Sequence, residues 1–217
     1  MTDQTPISAF DLDHTLIEAN SSLLFYQYLV REGVFHPLSL LRTLFYSIEH
    51  RFFNLGLLEL HEKVFKRFLK GKPIQLVEEQ VAKFLKEDFY RFIYYPSFSR
   101  LRRAQHEGHH TIILSNSPSF IVGPVARYLG VSHWCSSEYA INEKGDLDSV
   151  KSILLGEGKA SYLKTLASKF KTDIKRVTAY SDSPLDLPFL SAAGTAVVVN
   201  PTQRMRKISQ ENYWEII

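Results

Sequence analysis

Residues 7–18 read ISAFDLDHTLIE. The apolar run Ile7–Phe10 reads as the body of a short buried strand, expected over residues 6–12. It ends in two carboxylates, Asp11 and Asp13, with the hydroxyl of Thr15 two residues further on. Alternation accounts for one polar residue at a strand end. It does not account for two acids, a histidine and a threonine together. Two acids there cost stability unless they are paired or hold a cation.

The pattern recurs downstream. Thr111-Ile112-Ile113-Leu114 is a compact apolar run followed by Ser115 and Asn116, and the run 175–180 leads into Ser181, Asp182, Ser183 and Asp186. A last strand is expected at Ala196–Val199, with a short helix closing the chain. Helices are expected over 97–107 (ending at Gly108), from a Ser117 N-cap with Pro118 in the first turn towards Gly130, with Pro124 as a kink, and over about 160–170. Short alternating runs around Asn142-Glu143-Lys144-Gly145 signal a hairpin. Strands alternating with helices imply a Rossmann-like α/β fold, a parallel sheet with helices on both faces. Such sheets bind ligands beyond the carboxyl ends of their strands, so the three polar clusters share one edge. Lys159 joins them from the Gly156-Glu157-Gly158-Lys159 turn at a helix start.

Residues 18–93 read as helical almost throughout, with Leu23, Leu24, Tyr28 and Leu29 on one stripe and Leu58, His61, Val64, Phe65 and Phe68 on another. Ten of the fifteen phenylalanines fall between Phe25 and Phe92. The expectation is a core of residues 1–17 and 94–217 and an all-helical insert, 18–93, with its own small core. His61 is expected as a packed core residue. The apolar stretch 35–58 is a candidate contact for a lipid-like substrate, a membrane surface or a second copy, so a homodimer through the insert is one candidate assembly.

The 217 residues are 45% hydrophobic, 13% aromatic and 23% charged, which excludes a disordered chain. A formal charge of +3, with basic residues scattered among acids, gives no nucleic-acid footprint. Cys135 stands alone, so an intrachain disulfide and a cysteine-rich metal site are both excluded. The polar start and the charge-broken apolar segments lead to the expectation of a cytoplasmic protein without stable membrane insertion.

Carboxylates, hydroxyls and a lysine at one sheet edge suit a cation together with a phosphate. Mg²⁺ takes few carboxylate ligands and keeps waters, which points to Asp11 and Asp182 as ligands, with Asp186 behind them. At ~4 Å and an effective dielectric of about 20, two unit charges interact by roughly 4 kcal/mol. A carboxylate approaching a phosphate dianion meets about twice that repulsion, more than hydroxyls alone can offset. One carboxylate can act as nucleophile and the other as proton carrier, which makes an acid and a nucleophile from one residue type. Taken singly, Thr15-Leu16-Ile17-Glu18 and Ser183-Pro184-Leu185-Asp186 also read as capping boxes at helix starts. GxxxxGK[ST] does not fit at Lys159, because Ile153 and Ala160 occupy the positions that need glycine and a hydroxyl.

Asp11-Leu12-Asp13-His14-Thr15 resembles the DxDxT signature of the haloacid dehalogenase superfamily. Ser115 matches its second motif, Lys159 its third, and Asp182 with Asp186 its fourth. The whole chain is similar to the phosphoserine-phosphatase-like group, in which a helical cap lies between the first and second motifs. The resemblance implies a Mg²⁺-dependent phosphomonoester hydrolase acting on a small phosphorylated metabolite. In it Asp11 is the nucleophile and Asp13 the general acid and base. The Asp13 carbonyl joins Asp11 and Asp182 on the metal, and Thr15 supports the turn. Ser115, Asn116 and Lys159 hold the phosphoryl oxygens, and Asp186 orients a metal-bound water or Lys159. Transfer to an acceptor alcohol and a non-catalytic binding protein of the same fold are the alternatives. There are two departures. Ser181 and Ser183 stand where glycines are usual. Asn20 stands near the place of a glutamate that phosphoserine phosphatases use for the substrate amino group.

Overall fold

A computed structural model describes residues 5–36 and 57–217. The expected apolar stretch 35–58 lies largely outside the described residues, and so does the assembly suggested for it.

Seven strands form one sheet in the order β4-β3-β2-β1-β5-β6-β7. In chain order they are β1 (Ile7–Phe10), β2 (His110–Pro118), β3 (His133–Ile141), β4 (Leu147–Ser152), β5 (Val177–Ser181), β6 (Thr195–Val198) and β7 (Glu215–Ile216). β1 lies at the centre, parallel to β2 (Phe10 opposite Ile113) and to β5 (Phe10 opposite Tyr180). β3 and β4 are the antiparallel pair. Their turn is closed by Asn142 Oδ1, which accepts from Lys144 N (2.9 Å) and Asp146 N (3.0 Å), with Gly145 at φ 85°. The short β7, which sequence reading missed, completes the edge beside β6.

The helices are α1 (Ser21–Arg31), α2 (Leu57–Phe68), α3 (Ile74–Glu87), α4 (Tyr95–His106), α5 (Ser119–Tyr128), α6 (Gly156–Lys169), α7 (Leu187–Ser191) and α8 (Gln203–Glu211). Three boundaries differ from expectation. β2 runs through Ser115 and Asn116 to Pro118, so α5 begins at Ser119 and Ser117 is not its cap. α6 begins at Gly156 rather than Ala160. Asn20, not Thr15, caps a helix there: its Oδ1 accepts from Leu23 N at 3.0 Å, and residues 15–18 form a loop.

Alternation sends Ile7 and Ala9 to one face of the sheet and Phe10 to the other. Ile7, Ala9, Ile112, Leu114 and Val198 pack with Leu163 and Leu166 of α6 and Phe189 of α7. On the opposite face Phe10, Leu12, Ile113 and Tyr180 join one apolar cluster with Phe120 of α5 and with Leu24, Phe25, Phe65, Val81 and Phe84 of the inserted helices. Among the described residues the insert therefore packs into the core of the sheet, where a small core of its own was expected. The chain leaves and re-enters side by side, with Glu18 N on Phe92 O (2.8 Å) and Tyr94 N on Leu16 O (2.9 Å). Among the described residues no helix is long and apolar enough to cross a membrane.

Candidate active site

The sheet changes winding direction at β1, with β2 on one side and β5 on the other. This is where open α/β sheets leave a crevice beyond their carboxyl ends. Asp11 extends β1 by one residue, its N–H donating to Tyr180 O at 2.9 Å. That bond delivers the Asp11 carboxylate to the edge, where it is 6% exposed. The β1–β2 register places Ser115 on the same edge, fully buried, with its Oγ accepting from Ser117 N at 3.1 Å. Asn116 follows, half-buried, its carbonyl held by Ser137 Oγ at 2.6 Å.

Lys159 comes from the first turn of α6 and is 2% exposed. Its Nζ donates to Asp11 Oδ1 at 2.8 Å and to Asp186 Oδ2 at 2.7 Å. Asp186 also accepts from Ser181 Oγ at 2.7 Å, so its carboxylate positions Lys159 rather than closing a capping box. Ser183 does cap its short turn, accepting from Leu185 N. Asp182 is half-buried and accepts from Thr15 Oγ1 at 3.3 Å, while Ser97 Oγ donates to the Thr15 carbonyl. Thr15 thus ties the loop after β1 to the end of β5.

Asp13 is held separately. Its Oδ1 accepts from Ser21 N at 2.8 Å, and its Oδ2 from Asn20 Nδ2 at 3.1 Å and Ser117 Oγ at 2.6 Å. Ser21 Oγ donates in turn to Ser117 Oγ at 3.0 Å. Asn20, Ser21, Ser117 and Ser181 are parts of the site that sequence reading did not assign. Each is a common polar residue whose role is set by a tertiary partner, and Ser117-Pro118 reads locally as a helix start. His14 is exposed, in the left-handed region at φ 58°, with Nδ1 3.2 Å from the Glu18 carbonyl oxygen.

The charges do not balance within the protein. Burial pushes the Asp11 carboxyl well above the ordinary carboxylate range; Lys159 opposes this, while Asp186, Asp182 and Asp13 add to it. Burial likewise raises Asp182, with His14 and Thr15 opposing. Lys159 stays a cation: burial works against its charge, but Asp11 and Asp186 outweigh it. Lys159 thus contacts two of the four carboxylates gathered at this edge. Among the described residues no three His, Cys, Asp or Glu side chains converge as a metal cluster. A smaller donor set lies at this edge, the carboxylates of Asp11 and Asp182. This is a donor set suited to Mg²⁺, which binds through one or two carboxylates. The Asp13 carboxylate is taken up by its three donors, so only the backbone carbonyl of that residue, the atom expected on the metal, is left for it.

Beside Asp13 opens a cavity of about 320 Å³. Asn20, Ser22, Asn116 and Ser117 line it, together with apolar side chains of α1 and α2 and with Phe120 and Tyr139. His61 lines it as well, half-buried, with Nδ1 2.7 Å from Tyr139 Oη, so it is not the packed core residue expected.

Sequence comparison agrees with this geometry. The family of haloacid dehalogenase-like hydrolases matches residues 9–191. The chain belongs to this family, and its fold is that of the phosphoserine-phosphatase-like members; it is a hydrolase of phosphatase type. It is 31% identical over 226 residues to a phosphoserine phosphatase of Mycobacterium tuberculosis, covering 99% of this chain and 71% of that one. It is 27% identical over 223 residues to a histidinol-phosphatase of Neisseria meningitidis, covering 97% of each. Among solved structures, a protein of unknown function from Bordetella pertussis superposes with TM-score 0.84 at 21% identity over 98% of both chains. A substrate-bound phosphoserine phosphatase superposes with TM-score 0.69 at 16% identity, over 94% of this chain and 90% of that one.

Proposed function

We propose that the protein is a Mg²⁺-dependent phosphomonoester hydrolase of small metabolites that works through an aspartyl-phosphate on Asp11. The observation that carries this reading is the buried Asp11–Lys159–Asp186 chain beside a separately held Asp13. Mg²⁺ held by Asp11, Asp182 and the Asp13 carbonyl would supply positive charge to the phosphoryl oxygens. Lys159 spends two of its three N–H donors on carboxylates and offers the third to a phosphoryl oxygen, beside Ser115 and Asn116. A carboxylate oxygen of Asp11 attacks phosphorus, the Asp11 O–P bond forms and the P–O bond to the leaving group breaks. Asp13 gives the departing alkoxide its proton. It then takes one from the water that attacks the aspartyl-phosphate, releasing phosphate and restoring Asp11. Residues 18–93 act as the cap over this site and choose the alcohol.

Asp11→Asn should abolish turnover of a generic aryl phosphate while circular dichroism stays native, and full activity in that variant would end the nucleophile assignment. Chelation with EDTA should silence the wild type, and added Mg²⁺ should restore it. An unchanged rate after chelation removes the metal from the mechanism. Transfer to an acceptor alcohol would show as an alkyl phosphate product when alcohols are added.

A further inference from the structure

The partners of Asp13 mark where the leaving group goes. Asn20 and Ser117 hold Asp13 and also line the cavity of about 320 Å³, so the oxygen that takes the Asp13 proton lies at its mouth. Beyond that rim the walls are Phe25, Leu29, Val64, Phe65, Phe68 and Tyr139. Among the described residues that line it, none is Asp, Glu, Lys or Arg. His61 is the imidazole of this described lining, its Nδ1 2.7 Å from Tyr139 Oη. An ammonium or carboxylate set against the apolar walls loses its hydration, which is costly. Asn20 is a neutral amide and offers no charge either; its Nδ2 donates to Asp13 and its Oδ1 accepts from Leu23 N. Tyr26 also lines the cavity, and its buried hydroxyl has no hydrogen-bond partner among the described residues. Buried hydroxyls are nearly always paired.

Resting on the phosphatase reading above, we propose that the substrate is the phosphate monoester of an uncharged, largely hydrocarbon alcohol, whose chain or ring fills this cavity. An amino-acid alcohol carrying a free ammonium is then a poor substrate.

The test is kcat/KM of the full chain with Mg²⁺ on methyl, butyl and hexyl phosphate, against O-phosphoserine and histidinol phosphate. The ester series should gain about four-fold for each methylene until the cavity is full. Hexyl phosphate should exceed both amino esters by about ten-fold or more. A flat ester series, or preference for either amino ester, overturns the proposal. Failure to hydrolyse any ester, methyl phosphate included, instead overturns the phosphatase reading. In Val64→Asp the hexyl-to-methyl ratio, read within the one protein, should fall while the O-phosphoserine-to-methyl ratio rises. Unchanged ratios in a folded variant would place the alcohol elsewhere, and the wild-type series decides alone if the variant does not fold.

Discussion

Ser117 Oγ donates one short hydrogen bond to Asp13 Oδ2. A hydrogen bond to a charged group contributes about 1.5–3 kcal/mol, and about 1.4 kcal/mol is ten-fold in rate. Ser117→Ala should therefore lower kcat on alkyl phosphates by roughly ten-fold or more. It should affect p-nitrophenyl phosphate much less, because that leaving group needs little protonation. Equal losses on both would mean that Ser117 only supports the fold. The contrast with Asp11 shows what one sequence can disclose. Asp11 and Asp13 are legible because charge at the end of an apolar run has few structural explanations. Ser117 and Asn20 are not, since hydroxyl and amide side chains have ordinary roles at helix starts. Only the approach of the α1 start to the end of β2 gives them these partners.

At the scale of elements, the placing of α6 decides whether Lys159 reaches both carboxylates. Gly156 opens the helix hard against the 184–186 turn: a Cβ there would stand 2.2 Å from the Leu185 carbonyl oxygen. Gly156→Ala must push helix and turn apart, at a cost of about 1–3 kcal/mol. For a chain of this size that lowers Tm by roughly 2–12 °C. Activity should fall with it, since Lys159 and Asp186 ride on the two pieces. Gly158→Ala meets only Leu154 Cδ1, at 3.1 Å, a flexible side chain, and should leave Tm nearly unchanged. Equal melting of the two variants would refute this account of the glycines. The start of α6 was misread because two glycines in one turn lower helix propensity. Close packing against the 184–186 turn, which no local pattern encodes, accounts for Gly156. The sheet strands were found readily, since apolar runs bounded by polar clusters are a local signal. β7 has two residues and no such run.

For the whole molecule, the inserted helices and the sheet share one apolar cluster. Phe84 lies in α3, fully within it, whereas Trp134 and Trp214 lie in β3 and beside β7. Truncating a buried phenylalanine costs about 3–5 kcal/mol. Phe84→Ala should then lower the melting midpoint reported by tryptophan fluorescence as much as that reported by far-UV circular dichroism. Two separated transitions would mean that the insert melts alone. The sequence pattern showed that an insert exists but not that its core is shared, because periodicity tells which face is apolar and not what covers it. The central place of β1 has a kinetic consequence. It is made before every other strand, yet its neighbours are the much later segments at His110 and Val177. Pairings this remote in sequence close slowly. Until they form, Ile7–Phe10 waits with both edges open, so the segment that leads into Asp11 needs shelter during synthesis.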